Sequence, residues 1–66
     1  MALPLTARIV MATNRLNSTK KEERGPDWWV ACCLLTEALG FLQTGKKEIA
    51  EAMLKAARPY IEVAAP

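Results

Sequence analysis

The sequence predicts an all-α fold: three short helices, dominated by an antiparallel hairpin of the second and third, in a chain that closes as a homodimer. Three observations predict it. The run 27–45, DWWVACCLLTEALGFLQTG, is too long for a buried strand and too short to span a bilayer, which leaves a helix apolar around most of its circumference. The segments before and after it carry apolar residues at helical spacing. With 66 residues the chain makes one small domain, 1–66, of a size whose core rarely supplies more than about 3–5 kcal/mol without a staple or a partner.

Pro4 suits the first turn of a helix, where its missing N–H costs nothing. Leu5, Ile9, Ala12 and Leu16 then fall on one helical face, widened by Val10 and Met11, with Arg8 and Arg15 on the other side. The first helix is therefore expected over residues 4–16. It is too short to hold alone in water and must dock. Residues 17–26, NSTKKEERGP, contain no hydrophobic residue and read as a solvated linker. Thr19 and Glu22 fit a T-x-x-E capping box, which allows one frayed turn there, and Lys20, Lys21 and Arg24 offer a basic contact diluted by Glu22 and Glu23.

Gly25-Pro26-Asp27 opens the second helix, expected over 27–44, with Asp27 capping the free N–H groups or complementing the positive end of the dipole. Its polar residues Thr36, Glu37 and Gln43 share one sector, so the apolar surface is wider than contact with one neighbour requires and a second surface must exist. Gly40, inside the helix, costs about 1 kcal/mol relative to Ala, which a close backbone approach would offset. Gly45 stands where a left-handed cap residue is expected.

The third helix is expected over 46–58. Ile49, Ala50, Met53, Leu54 and Ala57 make its apolar face, and Lys47, Glu48, Glu51, Lys55 and Arg58 the opposite one. Pro59 lacks a donor and disfavours helix at Arg58, so the helix should kink or end there and leave Tyr60, Ile61 and Val63 on an irregular tail, 59–66.

The two-helix segment 31–60 resembles one unit of the tetratricopeptide repeat family. Leu34, Ala38 and Phe41 match that family's first helix, Gly45 its turn, and Ala50, Leu54 and Ala57 its second helix. Glu37 stands where the family has Leu, and Pro59 precedes the family's closing Pro. The resemblance implies a helical hairpin with a groove for a protein segment.

Composition narrows the function. Hydrophobic residues are 52% and charged residues 24% of the chain, a globular balance. Nine Lys and Arg against seven Asp and Glu leave +2, too small an excess to imply nucleic acid or an anionic membrane by itself. Cys32 and Cys33 are adjacent in a predicted helix, where a mutual disulfide would be strained, so free thiols used as small core residues and a cytoplasmic location are expected. Arg8 and Arg15 interrupt the apolar N-terminal stretch, which is read as folded protein rather than a signal peptide, and no transmembrane segment is expected. There is no histidine, so the usual zinc spacings cannot be assembled and neither cysteine has an imidazole base. No phosphate loop or paired-carboxylate site can be pointed to. No enzyme activity, cofactor or metal is expected.

Protein recognition is the function these residues suit. Trp28 and Trp29 are the candidate contact residues: they point about 100° apart on a helix, so either one enters the core while the other stays near the surface, or a dimer buries both. Tyr60 extends that surface, and Lys47, Glu51, Lys55 and Arg58 set orientation. The expected function is that of a small non-enzymatic module that binds another protein as adaptor, inhibitor or regulator, in the manner of the small proteins by which phages or mobile elements disable host proteins. The alternative is a small dimeric helix-turn-helix-like DNA-binding regulator presenting Lys46, Lys47, Lys55 and Arg58 from the third helix.

Overall fold

The structure is a computed structural model and describes residues 3–65; Met1, Ala2 and Pro66, the ends of the expected domain, lie outside the described residues. It is all-α. Three helices, α1 (Leu5–Asn17), α2 (Pro26–Gln43) and α3 (Lys47–Ala64), account for the fold, with a short 3-10 turn at Lys21–Glu23 and no strand among the described residues.

Helix α1 starts after Pro4, which caps it from an extended conformation; the Arg8 N–H donates to the Pro4 carbonyl at 3.1 Å. Leu5, Ile9 and Leu16 are buried at the spacing of one helical face. The capping box expected in the linker does not form. The 3-10 turn has no side-chain cap, and the Thr19 hydroxyl reaches instead toward the Ala64 carbonyl, at 3.5 Å. Arg24 is likewise drawn inward: its Nε–H donates to the Thr19 carbonyl at 3.3 Å and its guanidinium lies 4.3 Å over the Trp28 ring.

Helix α2 begins with Pro26 at its first position, where the absent N–H is no loss, and Asp27 complements the dipole from the first turn without making a side-chain cap. Its end is a complete Schellman motif. Gly45 takes φ +81°, its N–H donates to the Leu42 carbonyl at 3.1 Å, and the Lys46 N–H donates to the Phe41 carbonyl at 2.8 Å. The left-handed residue expected at Gly45 is therefore present. Three residues, 44–46, separate Gln43 from the start of α3, and the contacts between α2 and α3 are the most extensive among the described residues.

Ala31 and Ala38 of α2 and Ala50 and Ala57 of α3 are all completely buried. Small side chains at these positions let the two helices approach closely, and Leu35, Leu54 and Ile61 fill the space beside them. Helix α1 lies against both and covers one side of the pair.

Helix α3 does not end at Arg58 but runs through Pro59 to Ala64. Ile61, one turn beyond Arg58, is buried in the core, and burying such a side chain is worth about 1.5–3 kcal/mol, comparable to the cost of an internal proline. The new end is held from α1: the Arg15 Nε–H donates to the Ala65 carbonyl at 2.7 Å. Among the described residues no other segment approaches Gly40: a Cβ there would meet nothing within 4 Å beyond its own helical turn. Gly40→Ala is therefore expected to stabilise the chain by about 1 kcal/mol, read as a higher thermal midpoint. A lower midpoint would mean that another molecule's backbone occupies that position.

Candidate functional site

The two tryptophans part as helical geometry requires. Trp28 is a core residue, 5% exposed, and its indole N–H donates to the Leu16 carbonyl at 2.7 Å, tying the start of α2 to the end of α1. Its apolar face and its one donor are engaged within the chain, which leaves Trp29 as the one of the pair at the surface. Trp29 is 59% exposed and meets Trp28 edge to face, with ring centroids 4.8 Å apart.

Lys47, Glu51, Lys55 and Arg58 are exposed on α3. Glu51, Lys55 and Arg58 share a shallow depression with Arg8 of α1 and Leu54; Glu51 and Arg8 approach to 3.6 Å. An ion pair this open contributes at most about 1 kcal/mol. Tyr60 is half-exposed on a different flank of α3, so the aromatic and charged candidates do not form one site.

Cys33 departs from the core role expected of both cysteines. Only Cys32 packs against the core, while Cys33 is exposed, since successive helical residues point about 100° apart. Both thiols are free. Among the described residues no group of three or more His, Cys, Asp or Glu is placed to hold a metal, and no helix is long and apolar enough to cross a membrane.

Two surfaces stand out that residue-by-residue reading missed. The first is an open groove of about 500 Å³ between α1 and α3. Leu3, Met11 and Ala12 line one side and Leu54 and Ile61 the other, with Arg8, Arg15 and Arg58 at its margins and Glu62 as its single acid. Arg8 and Arg15, seven residues apart, are the signal that was legible; the position of Arg58 opposite them is a product of packing.

The second surface lies on the side of α2 and α3 away from α1. Advancing about 100° per residue around α3 from the buried sector of Ala50, Leu54, Ala57 and Ile61, one flank carries Glu51, Arg58 and Glu62 and meets α1. The other flank carries Ile49, Met53, Ala56, Tyr60 and Val63. On α2 the same construction puts Cys32 and Leu39 beside α1 and Val30, Leu34 and Phe41 on the open side. Val63 is 65%, Ile49 45%, Val30 40% and Tyr60 38% exposed. Ile49, expected on the packed face, belongs to this open one. The signal was the 4-3-4-3 spacing of residues 49, 53, 56, 60 and 63, a coiled-coil seam period hidden behind the break expected at Pro59.

No family model, no curated protein and no solved structure matches this chain.

Proposed function

We propose that this chain is a small non-enzymatic protein-interaction module, an adaptor, inhibitor or regulator of another protein, that associates with a second copy of itself. The observation that carries the reading is the apolar face of α2 and α3 left open opposite α1. Val30, Ile49, Tyr60 and Val63 leave roughly 300 Å² of mostly apolar side chain in water, the size of the largest such patch on an ordinary monomer and a frequent mark of an interaction surface. On this reading α2 and α3 form an antiparallel helical hairpin, the unit that the tetratricopeptide resemblance implies. The heptad spacing along α3 suits the same stripe of a second copy, related by a two-fold axis. Two free thiols fit residence in the cytoplasm.

Sedimentation velocity tests the self-association. The wild-type chain is expected to sediment as a dimer that dissociates on dilution, and Ile49→Lys with Tyr60→Lys as a monomer that keeps its helical circular dichroism. A wild-type chain monomeric throughout a wide concentration series would overturn the homodimer. A tagged pull-down from nuclease-treated lysate tests the partner: one near-stoichiometric protein is expected. Recovery of nucleic acid alone from untreated lysate would favour the DNA-binding alternative, in which Lys46, Lys47, Lys55 and Arg58 meet phosphate.

A further inference from the structure

The groove between α1 and α3 has a composition that specifies its occupant. Its lining is apolar on both sides, from the exposed Leu3 and Met11 with Ala12 on one and the almost wholly covered Leu54 and Ile61 on the other, while three guanidinium groups line it against the Glu62 carboxylate, with Glu51 beside Arg8. An apolar floor excludes a nucleic-acid backbone, which needs phosphate contacts along its whole track. A concave trough suits a rod better than a lipid surface. From residue 8 to residue 15, α1 rises about 10 Å, two turns, and so spaces two cations along one edge at the interval of residues i and i+7 of another helix.

Arg8 is also short of acceptors. Among the described residues its buried Nε has no hydrogen-bond partner, and its terminal nitrogen stands 3.6 Å from the Glu51 carboxylate, longer than the roughly 2.7–2.9 Å of a charge-assisted hydrogen bond. A guanidinium carries five N–H donors. Arg15 donates its Nε–H to the Ala65 carbonyl and is one of the residues lining the groove.

We infer that this groove binds an amphipathic helix of another protein, apolar toward Leu3, Met11 and Ala12 and acidic along its edges, with carboxylates two turns apart facing Arg8 and Arg15 and a third facing Arg58. The inference rests on the protein-binding reading above and names the site and the chemistry of the partner. Helix-in-groove recognition supplies the affinity through the apolar stripe, and the arginines set orientation and reject basic helices.

The test uses the full chain and two fluorescent helical peptides of about 15 residues, identical in their Leu stripe, one with Glu at i and i+7 and at one position on the opposite edge to face Arg58, the other with Lys at all three. Anisotropy titration is expected to show roughly tenfold or greater preference for the Glu peptide, since each charge-assisted contact is worth about that factor. Arg58→Glu is expected to erase or reverse the preference, and Met11→Glu, at an exposed position, to abolish binding. Circular dichroism at wild-type strength in both variants would show that neither has unfolded. Equal affinity for the two peptides, binding of the Glu peptide by both folded variants as by wild type, or arginine-dependent binding of anionic vesicles or duplex DNA in preference to the Glu peptide would overturn the assignment. If the folded Arg58→Glu and Met11→Glu variants both still capture the wild-type chain's protein partner from lysate, the groove falls and the protein-binding reading stands. If the wild-type chain captures none, that reading falls by itself.

Discussion

Trp28→Ala is expected to remove the folded state. Truncating a fully buried aromatic costs about 3–5 kcal/mol, and a core of this size supplies about the same in total. The loss is also badly placed. The Trp28 ring packs in the core, its N–H holds the Leu16 carbonyl at 2.7 Å, and Arg24 covers its outer face at 4.3 Å. One side chain therefore joins the end of α1, the linker and the start of α2. Far-UV circular dichroism should show weak helicity and no cooperative melt. Trp28→Phe keeps most of the apolar volume and loses the donor, which should cost about 1–2 kcal/mol and leave a cooperative transition at lower temperature. Trp29→Ala, at an exposed position, should leave the transition nearly unchanged. If Trp28→Ala melted like Trp29→Ala, the assignment of Trp28 to the core would be wrong.

Pro59→Ala is expected to act in the opposite direction and nearly as strongly. Pro59 lies within α3, one residue past Arg58, and cannot donate to the Lys55 carbonyl. An internal proline costs about 3 kcal/mol, of which restriction of the unfolded chain returns about 0.4–1 kcal/mol. Alanine should therefore gain about 2 kcal/mol and raise the thermal midpoint by roughly 10 °C or more, given about 4–8 °C per kcal/mol in a domain this small. Were the helix to stop at Arg58, the substitution would have little effect, so an unchanged midpoint would refute the continuous helix. Adding Ile61→Ala is expected to cancel the gain, because Ile61 is what holds the last turns to the core.

The sites divide by the kind of information they need. That one tryptophan would be buried and the other exposed follows from a 100° step along any helix. Which one is buried depends on where α1 ends, since the Leu16 carbonyl is the acceptor that makes a buried indole affordable. Ile49 could have been assigned to the open face from its 4-3-4-3 companions, but the stripe was cut short by treating Pro59 as a terminus. Arg8 and Arg15 read as the solvent side of α1. They become the edge of a groove only when Arg58 and Glu62 are brought opposite them.

By itself the sequence determined that this chain is helical and where its turns fall, because apolar period, Pro26 at a helix start and Gly45 at a left-handed cap act within a few residues of chain. Tertiary structure alone decided how far α3 extends, which tryptophan enters the core, and where an apolar face remains open. Each of these depends on what a distant segment covers: Ile61 and Arg15 outweigh the local preference of Pro59, Leu16 selects Trp28, and α1 can shield only one side of α2 and α3. A helix carries its period in its own residues, but the burial of its faces is set by its neighbours.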